Sequence, residues 1–391
     1  MKYAAWLVRL VFAAWMIPAG VNHFVTLFPQ PMGSQPLSQE MIVALIDSHL
    51  FDLVKLVELL AGVFVLLGFH AALGVLICVP VSFCVFWWDA PLEGFGSRAA
   101  RFGNATLISN LLLCIFFVRS YRPMFTTQPP AGSLVLAGRV ILGIWMVANG
   151  VNYFLLHFWA VPVGHEPLAV QLMAAFQHSG LLTVAMIIQT VTGVLILAGL
   201  FVPAALCVLM PVSTCALYWS LVLEHRPLGA LLALLVFALN GLLMIACLDR
   251  YRGVLERHAT TLGESPGSNV FDALFASPGG RTSRSHFIPA LVTLLLAVAF
   301  YAYFVKSRTG TFCLLVLLYP ALVLLARRLR DMRQSPWLVV VPGVLMLCTF
   351  ALWLKYFSPG EGIANVLPTA ALVVLGGFAL WGSFGKSSTG T

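Results

Sequence analysis

The sequence predicts an all-α, polytopic membrane protein with about twelve transmembrane helices, and three observations carry that reading. The 391 residues are 60% hydrophobic and only 9% charged, with a mean hydropathy of +0.96. A water-soluble domain carries about 25% charged residues, so a soluble enzyme, a nucleic-acid-binding protein and a disordered chain are excluded. The apolar residues gather into runs close to the ~20 that a spanning helix needs. Finally, the first two thirds of the chain repeat themselves in register.

The runs follow one another along the chain. In the first repeat, spans are expected near 4–26, 52–69, 71–88 and 104–119; in the second, near 135–158, 181–199, 203–221 and 228–248. Four more lie near 287–305, 311–326, 337–355 and 364–383. Polar or Gly/Pro-rich separators divide them, such as PQPMGSQP at 29–36 and DAPLEGFGSRAARFGN at 89–104. The opening MKYAAWLVRLVFAAW has no small-x-small cleavage site and reads as a retained first span. The domain expectation is a four-helix bundle over 1–125, its copy over 126–250, a cytoplasmic linker over 251–285 and a four-span unit over 286–391.

The repeat is explicit in the residues. RLVFAAWMIPAGVNHF at 9–24 aligns with RVILGIWMVANGVNYF at 139–154. Arg9 matches Arg139, Gly20 matches Gly150 and Asn22 matches Asn152; one residue further in offset, Gly62 matches Gly193, Ser82 matches Ser213 and Trp88 matches Trp219. The fourth spans share Asn110/Asn240 and Tyr121/Tyr251. An even number of spans per copy gives both copies the same orientation, a parallel repeat rather than the inverted one of many secondary transporters. A pseudo-two-fold axis near the membrane normal is therefore expected.

The net charge of +8 comes from 22 Lys/Arg against 14 Asp/Glu, an excess that in membrane proteins marks cytoplasmic loops. With the N-terminus inside, Lys2, Arg119, Arg122, Arg250, Arg252, Arg257, Arg281, Arg284, the 327–333 cluster and Lys386 fall inside. Arg98, Arg101, Arg226, Lys306, Arg308 and Lys355 fall outside. Both termini are thus expected in the cytoplasm of a bacterial-type inner membrane. The eight cysteines all lie in apolar stretches without a C-x-x-C pair, so neither a disulfide framework nor a metal site is expected.

Arg9, the Gly20-x-Asn22 stretch and VELLAGVFVLLGF at 57–69 resemble the DoxX family of small four-helix membrane proteins. That family has an early Arg in the first span and an E-x-x-x-G pattern opening the second, which Glu58 and Gly62 fit. The second copy keeps Arg139 and Gly193 but carries Gln189 in place of Glu58. Further on, GGRTSRSHF at 279–287 and RRLRDMRQSPW at 327–337 resemble the bacterial inner-membrane domain-of-unknown-function family 805, with Arg330 where a His is usual and Pro336 where a Gly is usual. The DoxX resemblance implies a range of roles: quinone-linked sulfur oxidation, membrane redox complexes and maturation of partner proteins.

Ionisable residues inside a membrane are costly and mark functional candidates. Arg9 and Glu58 are expected to lie within two helical turns of depth of one another and to pair, with Lys55 on the same helix face as Glu58. Asn22 and His23 end the first span, where a His is a candidate proton acceptor. Arg139, Gln189 and Asn152 are the second-copy counterparts. Arg139 lacks a matching carboxylate, so it should reach the membrane edge or bond to carbonyls, Gln189 or lipid phosphate. Arg327, Arg328, Arg330 and Arg333 are candidate contacts to anionic lipid head groups. Each has a plainer reading: a helix pin for the Arg9–Glu58 pair, an interfacial His, inter-helix hydrogen bonding for the asparagines and ordinary cytoplasmic charge for the arginine cluster.

No phosphate-binding loop, HExxH, GxSxG or dinucleotide fingerprint is present, and nothing in the sequence decides between enzyme and non-enzyme. The leading reading is a redox-associated membrane subunit that binds a quinone-like lipid between helices near Arg9 and Glu58, with chemistry confined to the first bundle. The alternatives are a scaffold or maturation factor that binds a partner membrane protein or lipid, and a small-molecule transporter.

Overall fold

Each expected span is an α-helix in the computed structural model, which describes residues 1–265, 267–268, 270–304, 308–356 and 363–387. Lys306, the side chains of Arg308 and Lys355, and Pro266 and Asn269 of the polar break lie outside the described residues. The first copy comprises α1 (Lys2–Phe24), α2 (Pro36–Asp47), α3 (Leu50–Leu67), α4 (Ala71–Trp87), α5 (Arg98–Phe116) and the single turn α6 (Val118–Tyr121). The second repeats this order with α7 (Ser133–Val151), α8 (Pro167–His178), α9 (Leu181–Ala198), α10 (Val202–Tyr218), α11 (Pro227–Ala246) and α12 (Leu248–Tyr251). The last unit comprises α13 (Arg284–Phe304), α14 (Arg308–Asp331), α15 (Val340–Tyr356) and α16 (Ile363–Phe384).

Among the described residues, ten helices are long and apolar enough to cross a membrane. The two expected spans outside that set have evident reasons. Helix α3 carries Asp52, Lys55 and Glu58 within 18 residues, and α15 is the shorter apolar helix of the last unit. The protein is an all-α, multi-span membrane protein of two parallel bundles and a third helical unit.

Small residues set the bundle geometry. A Cβ on Gly20 would stand 2.7 Å from Leu59 Cβ, and one on Gly62 would stand 2.8 Å from Ile17 Cγ1, so α1 and α3 cross in near backbone contact. Gly150 and Gly193 do the same for α7 and α9. Within each copy a polar pair joins the third and fourth spans: Asn110 Nδ2 donates to Ser82 Oγ at 2.8 Å, and Asn240 Nδ2 to Ser213 Oγ at 3.4 Å. Tyr121 and Tyr251 donate to the carbonyls of Ala72 and Pro203 at the first turn of α4 and α10.

The separators hold more structure than the sequence suggests. The twelve-residue helices α2 and α8 lie on the face opposite the N-terminus and pack against each other. Their contacts are reciprocal. Gln171 Nε2 donates to Asp47 Oδ2 at 2.9 Å while His178 Nδ1 meets Glu40 Oε1 at 2.8 Å, and Gln171 and His178 are the copies of Glu40 and Asp47. Likewise Trp87 Nε1 donates to the Ser179 carbonyl, and its copy Tyr218 donates through its hydroxyl to the Ser48 carbonyl. Exchange of partners between equivalent positions is the signature of a two-fold interface.

The third unit breaks the symmetry. Helices α13 and α14 pack on α1, where Tyr301 donates to the Val11 carbonyl. Among the described residues nothing comparable covers α7, where Ile141 and Trp145 are exposed while Trp15 stacks on Phe102 at 5.7 Å.

Candidate functional site

The antiparallel register of α1 and α3 decides which charges meet. Gly20 faces Lys55 and Leu59, and Gly62 faces Met16 and Ile17. Glu58 is therefore level with Gly20, eleven residues along α1 from Arg9, or about 16 Å at 1.5 Å per residue. The expected Arg9–Glu58 pair does not form. The shorter depth difference inferred from the sequence placed α3 too far along α1.

Arg9 instead closes the N-terminal face of its bundle. Its Nε and Nη2 donate to the Val65 carbonyl at 3.4 and 3.0 Å, and Nη2 reaches Asp272 Oδ1 at 3.3 Å. The Phe271 ring lies 3.5 Å from the guanidinium carbon. His258 Nδ1 sits on the other Asp272 oxygen at 2.9 Å. Trp6 Nε1 donates to Glu264 Oε1 at 2.9 Å, and Arg119 donates to the Glu264 carbonyl. The 251–285 segment, expected as a linker, thus packs as a lid under the first bundle. The sequence does not mark Asp272 and Glu264, because the α1 residues they answer, Arg9 and Trp6, are more than 250 residues away.

Glu58 pairs with Lys55 Nζ at 2.8 Å, and both side chains are buried. The ammonium also lies 4.8 Å from the Phe51 ring centre. Asp89, buried in the π-helical turn that ends α4, lies within electrostatic reach of Lys55. At the mouth of the same face, His23 Nε2 meets Asp52 Oδ1 at 2.6 Å, and His49 meets the other oxygen at 3.1 Å. Asn22 has a plainer role, because its Oδ1 accepts from the amides of Leu27 and Phe28 as the chain leaves α1.

The second copy keeps the frame and loses the charges. Tyr153 and Thr183, the counterparts of His23 and Asp52, join through their hydroxyls at 2.8 Å. Met186, Gln189 and Ser220 stand where Lys55, Glu58 and Asp89 stand. Gln189 is half-buried and makes no side-chain hydrogen bond among the described residues. Asn152 repeats the cap of Asn22 on Trp159. Arg139 bonds to the Ile196 carbonyl, one of the expected solutions.

A second pair of acids was not singled out from the sequence, although their matched positions are visible in the repeat. Glu93 accepts from the amides of Ser34 and Gln35 and from the hydroxyls of Ser34 and Ser38. Its copy Glu224 accepts from the amides of His165 and Glu166 and from the His165 ring. Each carboxylate caps the N-terminus of a short helix. Burial pushes the Glu93 carboxyl up, but these donors outweigh it and hold it down at about 2; Glu224 is lowered by the same contest.

The arginine cluster is built inward. Arg328 is fully buried: Nε donates to the Gly382 carbonyl and Nη2 to the Gly385 carbonyl, each at 2.7 Å, and Nη1 reaches Asp331 and Ser387. It pins the end of α16 and is out of reach of a lipid head group, which corrects the expectation for this residue. Arg327 wraps the 277–282 loop through Thr282, Ser277 and Gly279, and Arg330 donates to the Pro278 carbonyl. Arg333 is exposed.

Comparison with known proteins adds no relative: no family model, curated protein or solved structure matches this chain.

Proposed function

We propose that the first bundle binds the polar head of a membrane-soluble ligand of the quinone class at Lys55 and Glu58, and that the second bundle braces it. The carrying observation is the contrast between copies: the same helical frame holds His23–Asp52, Lys55–Glu58 and Asp89 in one, and only neutral groups in the other. Two charges in a membrane-spanning bundle are costly to keep, and the second copy shows that the frame stands without them.

The donor set suits carbonyl oxygens. Lys55 spends one bond on Glu58 Oε2, which leaves ammonium protons for an acceptor. The other Glu58 oxygen takes no donor among the described residues. When bound, a quinone head would supply two-electron, two-proton chemistry. Lys55 would orient a carbonyl, while Glu58 and Asp89 would hold or release protons toward the His23–Asp52 mouth. The charge bias supports placing the N-terminal face in the cytoplasm and this mouth outside. The resemblance to the DoxX family points the same way.

The test uses the second copy's own residues. Wild type, Lys55→Met, Glu58→Gln and Gln189→Ala are purified at matched yield, and their lipid extracts are assayed for quinone. Wild type and Gln189→Ala should retain quinone, with a loss of about tenfold or more in the other two. Absence of quinone from wild type, with a membrane protein co-purifying instead, would establish the scaffold reading.

A further inference from the structure

The two copies differ at a place where their backbones agree. Arg9 Nε and Nη2 hold the Val65 carbonyl at 3.4 and 3.0 Å; Arg139 Nε and Nη2 hold the Ile196 carbonyl at 3.3 and 3.0 Å. The helix carrying that carbonyl then ends on a left-handed glycine in both, Gly68 at φ +71° and Gly199 at φ +73°. Here Arg9 takes the Asp272 carboxylate, which lies so close that a Cβ on Gly68 would collide with it.

Arg139 has no such partner. It is only 5% exposed, and no described carboxylate pairs with it. Its remaining guanidinium protons are without an acceptor among the described residues. A Cβ on Gly199 would meet Arg139 Nη2 at 2.7 Å and the ring of Pro129 at 3.4 Å. A guanidinium that bonds only a carbonyl among the described residues, with its free nitrogen not sealed from the surface, is an incomplete site. The first copy shows what completes it: an oxyanion.

We propose that Arg139 binds the phosphate of an anionic phospholipid at the N-terminal face, in the place that Asp272 takes on Arg9. A lipid is favoured over a soluble ion by the surroundings. Among the described residues the third unit covers α1 but not α7; Pro129, which flanks Gly199, is exposed, as are Ile141 on the outer side of α7 and Phe125 and Leu248 on the neighbouring segments. A head group held at Arg139 therefore has bare apolar helix nearby for its acyl chains.

The test compares wild type, Arg139→Gln and Pro129→Asp in nanodiscs of mixed phosphatidylglycerol and phosphatidylcholine, with retained lipids counted by native mass spectrometry after release into detergent. Pro129→Asp offers an internal carboxylate beside Gly199 and so competes with the lipid without removing the arginine. Wild type should retain one phosphatidylglycerol more than either variant, with apparent affinity at least tenfold higher. Equal retention in all three would overturn the proposal. Displacement of the lipid by millimolar inorganic phosphate, with no preference for phosphatidylglycerol, would overturn the assignment to a lipid. If Arg139→Gln fails to fold, Pro129→Asp alone decides.

Discussion

At the scale of residues, a buried charge in this protein is defined by what answers it. Arg9 is answered by Asp272, Arg328 by Asp331 and a helix end, Lys55 by Glu58. Removing one member of a buried pair costs far more than the pair contributes. Asp272→Asn should therefore destabilise the protein by about 3 kcal/mol, read as a drop in the thermal midpoint in detergent. Asp249→Asn, on an exposed pair with Arg252, should change it by less than about 0.5 kcal/mol. The sequence made Arg9, Glu58 and Lys55 visible as candidates because charges stand out in apolar runs. It could not show that Arg9 and Glu58 are about 16 Å apart, because pairing depends on helix register, and register is set by where Gly20 and Gly62 let two backbones touch.

At the scale of elements, the spans were legible and the short helices were not. A run of about twenty apolar residues has one cheap solution in a bilayer, whereas α2 and α8 are twelve-residue, mixed-polarity segments whose folding depends on tertiary partners. Glu93 and Glu224 are among those partners. The Glu93 carboxyl sits lower in the fold than its ordinary value near 4.5, so its contribution is complete above that value and is lost as pH falls toward about 2. The protection factors of the α2 amides, taken against the intrinsic exchange rate at each pH, should fall through that window. Glu93→Gln should show the lower protection already at neutral pH and lose little more on acidification. If α2 exchanges identically in both proteins, the cap is not what holds it.

At the scale of the whole molecule, the parallel repeat predicts a specific geometry of contact. In a background free of native cysteines, Glu40→Cys with His178→Cys and Asp47→Cys with Gln171→Cys should each form a disulfide within one chain. Mismatched combinations, such as Glu40→Cys with Gln171→Cys, should form it far more slowly. The repeat was readable because equivalent residues recur at a constant spacing; the docking of the third unit on α1 alone was not, because no periodic pattern records which of two similar surfaces a neighbour will cover. The Arg9–Asp272 bond spans 263 residues, and that separation has a temporal meaning. At about 5–20 residues per second, roughly 13–50 s of synthesis pass between the arginine and the aspartate that answers it. Through that interval the first bundle must sit in the bilayer with its arginine borrowed by water, lipid or the insertion machinery. The order of translation thus leaves one of the earliest charges in the chain unanswered until the whole second bundle has been made.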